Sequence, residues 1–281
     1  MHSSAASYQQ ARPIADGIYQ VRLPLPFALN HVNCYLLREA DGWTVLDTGL
    51  NWPAARDGWR AAMAELGFDF NDIRRIVLTH MHPDHFGLSG WFQAQSEQTV
   101  YLSPREAELA QDVWVDNSWR PERMDDYWRM GGITPDVADI VSSQTLHLRE
   151  MTLPHPARIA LIPPGARVEM GGRRWLAIHA PGHSDGQLVF YNEGERLMLS
   201  GDQALMKITP NIGLWPSTEP DPLGRFLASL RELMQLDVRL ALPGHGPLID
   251  DWAGRLRELF EHHIRRTAHT YAAVGPEGAT A

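Results

Sequence analysis

Four side chains able to bind a transition metal fall within six residues of the stretch Thr79-His80-Met81-His82-Pro83-Asp84-His85-Phe86-Gly87. Neutral imidazole and carboxylate are the ligands a divalent ion takes where no thiolate is on offer. His80 and His82 stand two apart, so an extended backbone sends both to one side. Asp84 and His85 follow a turn opened by Pro83 and can face a second position. The spacing therefore predicts two cation positions rather than one. Asp84 alone could be a helix cap; three histidines beside it could not.

Three further motifs each set a potential ligand just after a strand and beside glycine: Pro181-Gly182-His183-Ser184-Asp185-Gly186, Ser200-Gly201-Asp202 and Pro243-Gly244-His245-Gly246. Glycine there removes a Cβ that would crowd a cation and permits the turn that aims the ligand. Singly, each motif reads as a turn. With the first cluster they bring the total to five histidines and two aspartates, enough for two metals with positions left open for water.

The elements that must position these residues follow from the apolar pattern. Residues 18–23, 32–37 and 43–46 read as consecutive strands, and 73–78 is a buried strand ending where the histidines begin. The third strand ends in Asp47-Thr48-Gly49. Asp47 has two readings: a cap for the helix predicted over 53–66, or a carboxylate that orients the histidine loop from behind. Strand, helix, strand defines an α/β layered domain. A helix over 88–94 and a strand over 99–102 come next.

From Ser103 the character changes for more than fifty residues, with no convincing strands. Ser103-Pro104-Arg105-Glu106 is a helix start with a capping residue, proline at the first position and an early acid. Helices are predicted at 104–116, 121–130 and 134–145, carrying a stripe of Trp114, Trp119, Met124, Tyr127, Trp128 and Met130. This insertion, about 104–156, must lie against the body of the domain as a helical cap that can wall a site. Strands are expected at 157–162, 167–169, 175–179, 187–192, 196–200 and 238–242. Helices are expected from Asp221-Pro222 and over 251–271, with a disordered tail at about 274–281.

Composition sets the outer bounds. A chain of 281 residues with 44% hydrophobic content can bury a substantial core, and one domain over 1–281 is the expected organisation. The formal net charge of −9 disfavours a large nucleic-acid-binding face. A single cysteine, Cys34, allows neither an intrachain disulfide nor a thiolate cluster, and it reads as a buried structural thiol in an apolar strand. No leader-like start or bilayer-length apolar run is present, so the expectation is a cytoplasmic protein with no membrane partner. A homodimer is compatible with these bounds.

The series His80-x-His82-x-Asp84-His85, then His183, Asp202 and His245, resembles the metallo-β-lactamase-fold hydrolases, a superfamily that includes glyoxalase II-type thioesterases, lactonases and ribonucleases. Asp47-Thr48-Gly49 also fits, and the likeness runs from about Ile14 to His245. It implies an αββα sandwich of two mixed β-sheets flanked by helices, with metals at one edge between the sheets. Carried over residue by residue, it implies that His80, His82 and His183 bind a first metal, Asp84, His85 and His245 a second, and that Asp202 bridges them. Many true β-lactamases of this fold lack that bridging aspartate. Flavodiiron-type oxidases usually have glutamate where this chain has His82, and the insertion is too small for the extra domain of nucleic-acid-processing members. The glyoxalase II-like and lactonase-like branch is therefore the expected one.

Two divalent ions, zinc by preference and iron or manganese otherwise, can hold a bridging water and lower its pKa to about 7. The resulting hydroxide would attack a thioester, ester or lactone carbonyl of a small-molecule substrate, with Asp84 or Asp202 shuttling the proton. The alternatives are a mononuclear iron oxygenase of the persulfide dioxygenase kind built on His80, His183 and Asp202, and a phosphodiesterase or ribonuclease of the same fold. Substrate choice would fall to His31 and Asn33 in the loop before the second strand, to Lys207 and Trp215 after Asp202, and to Trp114, Tyr127 and Trp128 of the cap.

Overall fold

Short turns join β1 (Ala11–Ala15), β2 (Ile18–Pro24), β3 (His31–Glu39) and β4 (Gly42–Leu46) into an antiparallel run. The computed structural model describes residues 11–274, with the backbone alone at 121–123. β3 is buried from Val32 to Leu37 without alternation, so it is covered on both faces. The chain then crosses through α1 (Pro53–Leu66), which starts on proline and ends at Gly67 in the left-handed conformation, to β5 (Ile73–Val77). β5 pairs parallel with β4. The histidine stretch follows at once, with α2 (Pro83–Phe86) and α3 (Ser89–Ser96) behind it. β6 (Val100–Leu102) and β7 (Ile159–Leu161) complete a seven-stranded sheet in chain order.

The segment between β6 and β7 is helical. It comprises α4 (Pro104–Ala110), a wider π turn over Gln111–Val115, α5 (Pro121–Met130) and α6 (Pro135–Glu150). The second sheet is built from β8 (Arg167–Met170), β9 (Arg173–His179), β10 (Leu188–Asn192) and β11 (Leu197–Gly201), all antiparallel neighbours. β12 (Leu240–Pro243) joins β11 in parallel after a crossover through α7 (Pro222–Leu233), and α8 (Trp252–Ala273) closes the chain.

Each sheet has two apolar faces, and that decides the layering. Tyr35, Leu37, Leu46 and Val77 of the first sheet meet Trp175, Phe190, Leu199 and Leu242 of the second in a shared core. The outer face of the first sheet, including Val45 and Ile76, is covered by Trp59 and Met63 of α1 and Phe92 of α3. Val189, Met198 and Ala241 of the second sheet lie under Phe226 and Leu230 of α7 and Leu256 and Leu259 of α8. The result is a helix, sheet, sheet, helix sandwich of two mixed sheets, as expected.

The departures are local. β1 was not anticipated: only five residues long, it carries too little pattern to announce itself. The helix expected over 104–116 ends at Ala110 and continues as the π turn, which buries Val113 and Trp114. The aromatic stripe splits: Trp114, Met124 and Trp128 are buried, whereas Met130 is 85% exposed. Of the tail expected at about 274–281, residues 275–281 lie outside the described residues. Among the described residues, no helix is long and apolar enough to cross a membrane.

Candidate metal centre

Asp47 leaves the end of β4 with φ +56°, a left-handed backbone that aspartate tolerates better than most side chains. It does not cap α1, whose N-cap position is Trp52 with no side-chain bond. Its buried carboxylate instead accepts the Thr79 N–H at 2.8 Å, the Thr79 hydroxyl at 2.9 Å and the His85 Nδ1–H at 2.9 Å. The Thr79 hydroxyl, spent on Asp47 as a donor, accepts from His80 Nδ1 at 2.9 Å. Thr48 adds its N–H and hydroxyl to the His85 carbonyl, both at 2.8 Å. The Asp47-Thr48 corner thus fixes both ends of the histidine loop.

The same arrangement recurs at the other loops. His183 gives its Nδ1–H to the Asn211 carbonyl at 2.8 Å, and His245 gives its own to the His31 carbonyl at 2.7 Å. With Nδ1 engaged in each, His80, His85, His183 and His245 leave Nε2 as the ring atom that a cation could take. His82 is turned the other way, its Nδ1 lying 2.9 Å from His183 Nε2. Ligand atoms of His80, His82 and His183 converge within 4.8 Å, as do those of Asp84, His85 and His245; a third overlapping group is His80, His85 and Asp202. Asp202 sits in the middle, 3.4 Å from His85 Nε2, 3.5 Å from His183 Nε2 and 3.3 Å from His245 Nε2.

This donor set fits cations. Nε2 of His80, His85 and His245 and Oδ1 of Asp202 are buried and have no hydrogen-bond partner among the described residues, an expensive condition for four converging polar atoms unless something positive lies between them. Electrostatics agrees. Burial holds His80 well below the usual imidazole range and His82 down to about 3, with the neighbouring rings pushing the same way, so both are neutral ligands. Burial also opposes charge on His245, but Asp202 and Asp84 outweigh it and raise it to about 10. Asp202 is in turn held well below the carboxylate range by His245 and His85, against the cost of its burial. The pocket is one that draws in positive charge.

Gly244 shows why glycine flanks these ligands. A Cβ there would lie 2.2 Å from Asp202 Oδ1 and 2.6 Å from His85 Cε1, so any side chain would occupy the centre itself.

Glu106 is the functional residue that sequence reading missed. It was visible only as the early acid of a capped helix, and Ser103 does cap α4, accepting from the Glu106 N–H at 3.1 Å. The fully buried carboxylate is used elsewhere. Its Oε2 accepts the Met81 N–H at 2.7 Å, and its Oε1 accepts the Ser184 hydroxyl at 2.6 Å and the Gly186 N–H at 2.7 Å. One side chain therefore ties the His80–His82 loop to the His183 loop. Burial pushes its carboxyl up to about 7 against the pull of these three donors. Arg105, next in the chain, pairs with buried Asp185 at 3.1 Å, and Arg225 of α7 pairs with the same carboxylate at 2.7 Å.

The residues expected to contact substrate fall in different places. Asn33 is fully buried and donates to the carbonyls of Pro243 and Gly246, both at 3.0 Å, so it supports the His245 loop rather than a substrate. Trp114 is also withdrawn from the site; buried, it donates its indole N–H to the Met81 carbonyl at 2.8 Å. Tyr127, Trp128 and Trp215 line a cavity of about 580 Å³ that includes none of the metal-binding candidates. His31 and Lys207, by contrast, line a cavity of about 470 Å³ together with His245. Burial, aided by Arg22 and His245, lowers His31 to about 4, so it is neutral. Cys34 is buried, and burial pushes its thiol up, as befits a structural residue.

Comparison with known proteins places this geometry. The family model described as the metallo-beta-lactamase superfamily matches residues 28–245. A crystal structure of a metallo-beta-lactamase family protein from Thermus thermophilus superposes with a TM-score of 0.86 at 34% identity, covering 93% of this chain and 84% of that one. The "Probable metallo-hydrolase YqjP" of Bacillus subtilis is 26% identical over 90% of this chain and 78% of its own length. The acyl-coenzyme A thioesterase MBLAC2 of Gallus gallus is 25% identical over 94% and 89% respectively. Some relatives are longer, the chain spanning 62% and 65% of two of them. The histidine loops, the sandwich that carries them and these likenesses converge on one conclusion: the chain belongs to the metallo-beta-lactamase superfamily and is a hydrolytic enzyme.

Proposed function

We propose that the protein is a thioesterase that works with two divalent cations, zinc by preference. The observation that carries this reading is the meeting of two donor groups at Asp202: His80, His82 and His183 on one side, and Asp84, His85 and His245 on the other. The fold alone is compatible with esters and lactones too. The thioester is favoured by the relatives named as acyl-coenzyme A and carboxyl ACP thioesterases.

When bound, the cation pair supplies Lewis acidity that lowers the pKa of a water to about 7 and draws electron density from the substrate carbonyl. The residues of the chain do the rest. The water oxygen bonds to the acyl carbon and the C–S bond breaks, giving a carboxylate and a thiol. Asp84 is the proton carrier in this scheme, because it lines an open cavity while its Oδ2 lies 3.1 Å from His245 Nε2. Asp202, with its side chain only 8% exposed, holds the two donor groups in register.

Metal quantification of freshly purified protein, followed by a thioester panel, tests the reading. About two zinc per chain and thioester turnover are expected, both falling sharply in D202A. One iron per chain with oxygen consumption, or full activity in D202A, would overturn it.

A further inference from the structure

The loop between β2 and β3 divides the approach to the centre into two unlike compartments. On one side, a mostly apolar cavity of about 620 Å³ is lined by Phe27, Leu29, Pro83, Leu148 and Asp84. Phe27 and Leu29 are 40% and 39% exposed, a substantial apolar surface to leave in water beside a catalytic site. On the other side, the cavity of about 470 Å³ is lined by Arg22, His31, Lys207 and His245 among apolar residues that include Met206 and Ile208. Leu29 lines both. Asp84 Oδ2 in the first and His245 Nε2 in the second are 3.1 Å apart. The centre is thus where an apolar compartment and a basic one meet.

Neither Arg22 nor Lys207 makes an ion pair with an acidic side chain among the described residues; Arg22 only donates to Asn33 Oδ1 at 3.4 Å. In a chain with a net charge of −9, two cations that share one cavity with His245, Arg22 half-buried and Lys207 exposed, favour an anionic ligand there.

We infer that the substrate is an acyl group joined through sulfur to an anionic carrier, the acyl chain lying in the Phe27–Leu148 cavity and the carrier's phosphate or carboxylate held by Arg22 and Lys207. This rests on the thioester reading above and adds which part of the substrate goes to each side. Hydrolysis then releases a carboxylate from one compartment and a charged thiol from the other, and water is the only co-reactant.

Kinetics on three octanoyl thioesters test this. Octanoyl-coenzyme A presents phosphates, S-octanoylglutathione presents carboxylates, and S-octanoyl-N-acetylcysteamine is uncharged. At least one charged carrier should exceed the neutral one in kcat/KM by about tenfold or more, and K207E should cut that ratio about tenfold. The preferred carrier identifies the anion. Octanoyl should outperform acetyl on that carrier by at least about tenfold, since each buried methylene contributes. Equal kcat/KM on charged and neutral carriers would overturn the inference while leaving the thioesterase reading intact. If no thioester is turned over, that reading fails, and calorimetry with desulfo-coenzyme A and S-methylglutathione still decides the basic compartment. Binding that weakens about tenfold in K207E supports it; no binding of either compound refutes it.

Discussion

Replacing Glu106 with glutamine asks whether a residue of the helical insertion governs the metal centre. The carboxylate accepts three hydrogen bonds on two oxygens, one from Met81 on Oε2 and two from Ser184 and Gly186 on Oε1. An amide of the same size offers one oxygen and one NH2 group. Its oxygen belongs where two donors wait, so the NH2 is driven against the Met81 N–H, two donors face to face in a fully buried site. An orphaned buried donor costs about 1–3 kcal/mol. In a chain of this size each kcal/mol lowers Tm by roughly 2–4 °C, so a drop of about 2–12 °C is expected. The strain falls on Met81, between His80 and His82, and loss of a partner that orients ligands costs about 10–100-fold in metal affinity. Zinc affinity is read by competition with a chromophoric chelator, and stability by melts with and without zinc. L259A in α8, a buried leucine of the core between the second sheet and its helices, provides the control, with a loss of about 2–5 kcal/mol and unchanged zinc affinity. If E106Q binds zinc as tightly as the wild type while melting earlier, Glu106 is a strut and nothing more, and the reasoning fails.

Three further outcomes are expected. D47N keeps a side chain tolerant of the left-handed backbone but turns an NH2 toward either the Thr79 or the His85 donors, so zinc affinity should fall about 10–100-fold by the same competition assay. G244A sets a methyl 2.2 Å from Asp202 Oδ1. Displacing a ligand by about 1 Å should cost at least about 100-fold in kcat, and near-normal turnover would show that the loop can yield. Chelation of the metal should lower Tm by about 5–10 °C relative to protein at 100 times the dissociation constant, corresponding to about 2.7 kcal/mol of linkage; identical melts would argue against any bound cation.

The sandwich was legible because its strands carry their own evidence. β10 and β11 open on continuous apolar runs, β3 is apolar from Cys34 to Leu37, and α7 shows a clean stripe in which Phe226, Leu230 and Leu233 are buried. The histidine loops were legible for a related reason: glycine next to His183, Asp202 and His245 is a local signal of crowding, and at Gly244 the structure supplies the crowding atoms. What could not be read is whatever depends on a distant partner. Glu106 is 25 residues from Met81 and 80 from Gly186, and nothing around it in the chain distinguishes it from any first-turn acid.

The aromatic residues failed for the opposite reason. Tryptophan at helical spacing announces burial without saying against what. Trp114 turned out to brace the Met81 carbonyl, while Trp215 stacks on Trp119 at 5.1 Å away from the histidine loops. The insertion therefore does two things: Leu148 of α6 walls the cavity beside Asp84, and its first residues brace the histidine loop. Met81 stands between His80 and His82, and both of its backbone polar groups are held by the insertion, the N–H by Glu106 and the carbonyl by Trp114. A loop held at both groups cannot shift without breaking contacts to α4 and the π turn. That coupling ties the start of the insertion to the histidine loop, while further along the same insertion Leu148 lines a cavity with Asp84 and with Phe27 and Leu29 of the loop between β2 and β3, both exposed.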